Sequence, residues 1–166
     1  NGGWGWRGER TIARWYTMYA TIIQCRSWLP NEIGGVAWIA WDNVASSIYA
    51  PFYVGITRVH KTSSTDGRVT GFSKNSAWWA FNHLGTLAAQ RWGDMRHDVR
   101  AVWDPWQAEL FADQKEIEAE ALKLWKSDRT ASKEYLTKYS YDLQEAIVER
   151  AWELAAELWN KYDELF

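Results

Sequence analysis

The chain has 166 residues, of which 47% are hydrophobic and 16% aromatic, and its formal net charge is -2. This composition is typical of one globular domain or a large piece of one, and it excludes a disordered chain. The 19 lysines and arginines are interspersed with 21 acidic residues, so no basic excess is available to bind nucleic acid. No apolar run reaches the ~20 residues that a membrane-spanning helix needs.

Tryptophan is the compositional outlier, with 14 residues along the chain. Trp38, Trp125 and Trp159 fall where strand or helix periodicity calls for apolar groups, so we expect them to fill a core. Trp4 and Trp6 stand among glycines, where they could line a cleft or pack against a neighbour outside the chain.

Segments rich in β-branched and aromatic residues predict strands in the first half of the chain. These segments are Thr17–Cys25, Gly35–Trp41 and Ser47–Val54. Both alternating sets of side chains in the second strand are apolar, so we expect both faces of the sheet to be covered. The third strand contains Pro51, which cannot donate to a ladder and so predicts an edge strand or a bulge. Asp42 and Asn43 are interpreted as a turn.

A polar, turn-rich stretch over residues 57–73 predicts a loop that separates strands (1–56) from helices (74–166). One helix is predicted over Ser76–Trp92, ending near Gly93, and another over Met95–Trp125. Proline can open a new first turn, so the second of these helices is predicted to be interrupted at Pro105.

The last predicted helix has the clearest amphipathic pattern. Its apolar residues recur every three or four positions, at Leu143, Ile147, Ala151, Ala155, Leu158, Tyr162 and Leu165. Strands followed by a run of helices indicate an α+β fold. We expect helices on one face of the sheet and a second sheet on the other. Because three strands cannot supply that second sheet, residues outside this chain should provide it.

Histidine and cysteine give no clear catalytic or metal-binding pattern. His60, His83 and His97 lack metal-ligand spacing, so no metal site is predicted. His83 lies in an apolar stretch and is interpreted as a hydrogen-bonded packing residue. Cys25 stands next to Arg26, which would favour a thiolate, but it lies in a predicted strand with no histidine close in sequence. We therefore interpret it as a buried structural thiol.

The carboxylate-rich segments are interpreted as solvated helix faces with lysine partners. They comprise Glu116, Glu118, Glu120 and the series from Glu149 to Glu157. A glycosidase would need two carboxylates fixed across a cleft, and helical spacing on a polar face does not supply that pair. The sequence also lacks a Gly-x-Ser-x-Gly elbow and a phosphate-binding glycine loop.

One set of stretches becomes recognisable when its members are taken together. They are Arg10–Ile12, Gln24–Arg26, Leu29–Pro30, Ile33–Trp38, Pro51–Tyr53 with Gly55, Phe72–Asn82 and Glu134–Thr137. In order and spacing they resemble the C-terminal part of the dipeptidase A family, which are cysteine peptidases within the N-terminal-nucleophile (Ntn) hydrolases. The similarity covers about the whole chain, and the set is far more specific than any one member.

The resemblance implies that residues 1–166 are the C-terminal portion of a single domain with a four-layer αββα sandwich, its antiparallel strands followed by three or four helices. It also implies a dipeptidase that hydrolyses small peptides. The thiol of an N-terminal cysteine attacks the carbonyl, its own α-amino group serves as base, and backbone or Asn donors hold the oxyanion. No metal or organic cofactor is implied. Members of the family often act as homo-oligomers.

Asn1 has neither a thiol nor a hydroxyl, so it cannot be that nucleophile. The expected nucleophile therefore lies outside this chain, and the expected partner is the N-terminal portion of the same enzyme, in the same or a companion chain. Arg10 is the predicted contact for a substrate carboxylate, because a guanidinium suits bidentate recognition; the alternative for Arg10 is a loop-anchoring ion pair. Gln24 and Arg26 are expected to find partners inside the sandwich.

A second hypothesis comes from a different class of protein. The chain would then be a non-enzymatic Trp-rich domain, derived from the same fold, that serves in binding or assembly.

Overall fold

The structure is a computed structural model that describes residues 12–14 and 16–164. The elements of this part are β1 (Tyr19–Cys25), α1 (Asn31–Gly34), β2 (Gly35–Trp41), β3 (Ala50–Tyr53), α2 (Lys61–Ser64), α3 (Ala77–Gln90), α4 (Trp92–Ser127) and α5 (Arg129–Tyr162). Strands come first and the long helices follow, so the fold is α+β, as predicted. The predicted loop over residues 57–73 contains the short helix α2.

The described strands form one antiparallel sheet in the order β1-β2-β3. Ile22 lies opposite Trp38, and Trp38 lies opposite Pro51. The strand with Pro51 is therefore an edge strand, as the missing N–H of proline predicts.

The two faces of the sheet differ in their surroundings. The inner face packs against the helices and carries Val36, Trp38, Ala40 and Tyr53, all buried. Phe111 of α4 meets the Trp38 ring edge-on, with ring centroids 4.9 Å apart. The outer face carries Tyr19, Thr21, Ile23, Cys25, Ala37, Ile39, Trp41, Ala50, Phe52 and Val54, as strand alternation requires, and of these Trp41 and Ala50 are buried. On this outer face the side chains of β1 are exposed.

Helix α4 runs without interruption from Trp92 to Ser127, so the predicted break at Pro105 is wrong. Proline removes one backbone hydrogen bond, but Trp103 and Leu110 are buried on either side of it. Burial of that face holds the helix together across the proline, because tertiary packing supplies most of a helix's stability. Helix α3 ends at Gln90, and Gly93 lies inside α4.

A single residue, Asp128, joins α4 to α5. Its N–H donates to the carbonyl of Leu124 (2.7 Å), and its carboxylate accepts from the N–H groups of Thr130 and Ala131. It therefore caps the end of one helix and the start of the next. The two helices pack along each other and form the largest part of the helical layer.

The apolar stripe predicted for the last helix is buried from Ile147 to Tyr162. Leu165 lies outside the described residues. Trp38 and Trp125 pack in or against the core, as expected. Trp159 is exposed, so its assignment to the core is wrong; it follows the buried Leu158 and lies off the stripe. Within the residues that the structure describes, no helix combines the length and the apolar character needed to cross a bilayer.

Candidate functional site

The backbone is strained at Asp42, directly after β2. This residue has φ 55, in the left-handed region that non-glycine residues seldom adopt. Its N–H donates to the carbonyl of Met18 (2.9 Å), which ties the end of β2 to the start of β1. In the turn that follows, the side chain of Asn43 accepts from the N–H of Ala45 (2.9 Å). Such strain is concentrated at functional sites, which makes Asp42 the centre of a candidate site.

Asp42 is only 4% exposed and is held by α3. The side chain of Asn82 donates to its Oδ1 (3.2 Å). One turn further along α3, a Cβ on Gly85 would lie 2.9 Å from Ser46 Oγ and 3.5 Å from Asp42 Oδ2. Glycine therefore lets the helix approach the turn closely. The carboxylate and the carboxamide are fixed against each other by this packing.

Burial raises the pKa of the Asp42 carboxyl above its ordinary value. Three interactions oppose that effect: the hydrogen bond from Asn82, a backbone hydrogen bond at Asn43 and the positive charge of Arg68. Arg68 lies in the loop before α3, with its guanidinium 5.4 Å from the ring centroid of Trp78. A buried carboxylate with a raised pKa and a specific partner is a recognised mark of functional sites.

Aromatic rings enclose the same end of the sheet. Trp41, the residue before Asp42, stacks on Phe81 of α3 with ring centroids 5.7 Å apart. Trp103 of α4 donates its indole N–H to the carbonyl of Ser46 (3.1 Å). The turn after β2 is therefore held by both α3 and α4. Held in this way, Asp42 and Asn82 can orient the neighbouring backbone, which is a positioning role.

A second polar cluster lies on the inner face, toward the other end of β1. Arg26 pairs with Glu118 of α4 (Nη1–Oε1 2.6 Å), with 14% and 11% of the two side chains exposed. Arg26 also donates to the carbonyls of Ile33 and Gly34 (both 3.2 Å). Gln114 donates to Gln24 Oε1 (2.9 Å) and to Glu118 Oε1 (2.8 Å). Gln24 and Arg26 therefore have partners inside the protein, as predicted.

Glu118 contradicts its interpretation as part of a solvated helix face. It is buried and also accepts a hydrogen bond from Tyr53 (3.3 Å), whose pKa is raised by burial and by the negative charge of Glu118. Its neighbour Glu120 is exposed and pairs with Lys123, as that interpretation requires. The missed signal is periodicity, because Leu110, Gln114 and Glu118 follow one helical stripe.

The predicted substrate contact, Arg10, lies outside the described residues, as do Trp4 and Trp6. The sequence does not predict Asp42 or Asn82 as site residues. Asp42 is predicted only as a turn residue, and Asn82 is only the last residue of the motif Phe72–Asn82. An aspartate directly after a strand, at the start of a turn, was the available signal for a left-handed position, which Asp tolerates better than most residues.

Cys25 differs from its prediction as a buried thiol. It is exposed, because it is the last residue of β1 and lies on the outer face of the sheet. His83 is exposed, and its ring packs 5.2 Å from that of Trp152, which agrees with its interpretation as a packing residue. Among the described residues, no group of three or more His, Cys, Asp or Glu side chains is arranged to hold a metal ion.

The sequence of this chain is similar to those of known peptidases. The sequence profile of peptidase family C69 matches residues 6–105, which include β1, β2, β3, Asp42 and Asn82. The chain is also 28% identical over 145 residues to a protein named probable dipeptidase B from Streptococcus pyogenes serotype M1. That alignment covers 85% of this chain and 28% of the relative. The chain therefore spans little more than a quarter of the relative's length.

Proposed function

This chain belongs to peptidase family C69, and we propose that it is the C-terminal portion of a cysteine dipeptidase, whose nucleophilic N-terminal cysteine lies outside these 166 residues. The observation that carries the proposal is the family match over residues 6–105. Similarity to a protein named as a dipeptidase supports small peptides as the substrates. The N-terminal portion of the same enzyme, in the same or a companion chain, is the proposed partner.

The proposed reaction proceeds through a covalent intermediate. The cysteine sulfur attacks the carbonyl carbon of the peptide bond, while the α-amino group takes the thiol proton and passes it to the leaving amine. Hydrogen-bond donors stabilise the oxyanion of the tetrahedral intermediate. Water then hydrolyses the thioester, which releases the acid and restores the thiol. We assign none of these catalytic roles to this chain, and we propose that it is inactive alone.

The proposed contribution of this chain is substrate binding and positioning. Arg10 is proposed to bind the carboxylate of a small peptide. Met18 follows Arg10 by eight residues, and its carbonyl accepts the N–H of Asp42. Asp42 is in turn held by Asn82. We therefore propose that the Asp42–Asn82 pair fixes the position of the start of β1. In this way it would also orient the segment that precedes β1.

The outer face of the sheet supports a four-layer αββα arrangement. Helices cover the inner face, while Tyr19, Ile23 and Val54 on the outer face are exposed. Large contiguous apolar surfaces are seldom left open in a finished protein. We propose that a second sheet, made by residues outside this chain, stacks on the outer face, and that two helical layers enclose the pair.

A non-enzymatic binding or assembly domain is the alternative function. Two exposed indoles favour it, Trp28 after β1 and Trp159 near the end of α5. Tryptophan is enriched where proteins bind one another, because it buries a large area.

Intact mass and dipeptidase assays on the protein from its natural source separate the two functions. A mass well above 19.4 kDa, or a companion fragment that begins with cysteine, together with dipeptide hydrolysis, supports the enzyme. Replacing that first cysteine by alanine should then abolish hydrolysis. A homogeneous 19.4 kDa protein without hydrolytic activity would overturn the proposal and favour the alternative.

A further inference from the structure

One edge of strand β1 is unpaired in the part of the chain that the structure describes. Among the described residues the strand pairs only with β2, in a continuous register from Tyr19 to Cys25. The N–H of Arg26 donates to Gly34 and that of Asp42 to Met18, so even-numbered residues of β1 direct their backbone groups toward β2. The odd-numbered residues therefore direct theirs away from the sheet. These are Tyr19, Thr21, Ile23 and Cys25.

This edge lacks the features that normally protect an exposed strand. Native edge strands carry charged side chains, proline or a bulge, or they are very short. The sequence of β1 is YATIIQC, seven residues without a charge, a proline or a glycine. Its register with β2 is unbroken, so it contains no bulge.

Both faces of β1 expose apolar side chains. Ile23 on the outer face is 63% exposed, and Ile22 on the inner face is 51% exposed, although the inner face is the one that the helices cover. A second sheet stacked on the outer face would cover Ile23 but would leave Ile22 open. Burial of Ile22 therefore requires a further element at the edge of this sheet, separate from the stacked second sheet.

Part of α4 near the sheet is left uncovered. Phe111 of α4 contacts Trp38 with one side of its ring and is still more than half exposed. Beside it, a groove of about 340 Å³ runs between α4 and the segment that follows β1. Its lining includes Arg26, Trp28, Phe111, Gln114 and Leu122. Apolar surface of α4 close to the end of β1 is therefore left uncovered.

We infer that a further β-strand of the same enzyme, from residues outside this chain, pairs with the free edge of β1 and places an apolar side chain over Ile22 and Phe111. Backbone groups on one side and apolar groups beneath are what an added strand recognises. The relative named dipeptidase B is more than three times as long as its aligned part, which leaves ample chain for such a strand. The inference rests on the proposed function only for the origin of the strand.

Site-resolved amide hydrogen exchange tests the inference. In this chain alone at low concentration, the amides of Ile22 and Gln24 should be protected by β2, while those of Thr21 and Ile23 exchange fast. In the complete enzyme, all four should be protected, with exchange at Thr21 and Ile23 slowed by roughly tenfold or more. Fast exchange of Thr21 and Ile23 in a complete, active enzyme would overturn the inference. So would protection that appears in the chain alone as its concentration rises, because the occupant would then be a second copy.

A proline variant supplies a second readout. Thr21→Pro removes an outward N–H without touching the ladder to β2, and Thr21→Ala keeps that N–H as the matched control. In the chain alone the two variants should unfold at similar temperatures. In the complete enzyme, Thr21→Pro should unfold about 2 °C or more below Thr21→Ala, because a hydrogen bond to the added strand is lost. If the unfolding temperatures of the two variants differ by the same amount in the chain alone and in the complete enzyme, no added strand pairs with β1. If the amides of Thr21 and Ile23 are protected in a complete protein that hydrolyses no dipeptide, the proposed function is wrong, whereas the inferred strand is still supported.

Discussion

Arg26 and Glu118 form an ion pair that joins the residue directly after β1 to the C-terminal half of α4, 92 residues further along the chain. Both side chains are largely buried, and the remaining donors of Arg26 go to the carbonyls of Ile33 and Gly34. The pair therefore fixes how the helical layer sits on the sheet. Buried charges are tolerated only where partners satisfy them, so each member depends on the other.

Removing Glu118 should destabilise the protein strongly. In Glu118→Ala, the guanidinium of Arg26 stays buried without its counter-charge, and we expect the free energy of unfolding to fall by about 3 kcal/mol or more. Glu120→Ala is the matched control on the same helix, where the exposed pair with Lys123 is worth at most ~1 kcal/mol. Urea denaturation of the chain measures both. Equal, small losses would show that the two backbone carbonyls suffice to hold Arg26.

Asp42 should make stability depend on pH. Burial raises its pKa above 3.8 in the folded protein, so between pH 3.8 and that raised pKa the folded state binds more protons than the unfolded state. Its stabilising contribution is thus full below pH 3.8 and is lost as the pH rises through the folded pKa. In Asp42→Asn the pH-dependent loss of stability is absent, because the carboxamide does not titrate. Asparagine also tolerates the left-handed backbone at this position.

Urea denaturation of the wild type and of Asp42→Asn, over roughly pH 3.5 to 6.5, checks this expectation. As the pH rises, the free energy of unfolding of the variant should increase relative to that of the wild type. A difference that stays constant over the range would mean that Asp42 titrates alike in the folded and unfolded chains.

Two glycines that lie in helices should respond to alanine in opposite ways. Nothing lies within 4 Å of a Cβ on Gly93, so Gly93→Ala should stabilise α4 by up to ~1 kcal/mol. A Cβ on Gly85 would lie 2.9 Å from Ser46 Oγ, in a buried contact, so Gly85→Ala forces α3 away from the turn at Asp42. We expect Gly85→Ala to be less stable than Gly93→Ala by about 1–3 kcal/mol in thermal unfolding. Similar stabilities would mean that Ser46 moves aside freely.

Cys25 should be reactive but dispensable. It is a free, exposed thiol on the outer face, so a thiol reagent should label the native chain once. Cys25→Ser should leave dipeptide hydrolysis by the complete enzyme within about twofold of the wild type, because a thiol at the end of β1 takes no part in the proposed chemistry. A loss as large as that from removing the first cysteine would make Cys25 the nucleophile.

The strands were predictable because their signals are local. β-branched and aromatic residues marked β1, β2 and β3, and the missing N–H of Pro51 marked an edge. The same local logic failed at Pro105, where burial on both sides of the proline keeps α4 continuous. Helix propensity describes an isolated segment, whereas α4 is held by what it packs against.

The candidate site was less predictable, because its residues come together only in the folded chain. Nothing near Glu118 in sequence shows that Arg26 meets it, and nothing near Asp42 shows that Asn82 does. The burial of Glu118 could have been predicted from helical periodicity, because position 118 continues the stripe through Leu110 and Gln114. The left-handed backbone at Asp42 depends on the hydrogen bond to Met18 and on close packing by α3, which no local pattern reports.

The one-residue link at Asp128 also bears on how the protein folds. Helices α4 and α5 meet through residues that are close in sequence near this corner, whereas the approach of β1 to α4 closes a loop of about ninety residues. Short loops close at little entropic cost, so the helical hairpin and the β1–β2 hairpin should each form early, because Cys25 and Gly35 are also close in sequence. Docking of the sheet on α4 would then be the late step that completes this part of the protein.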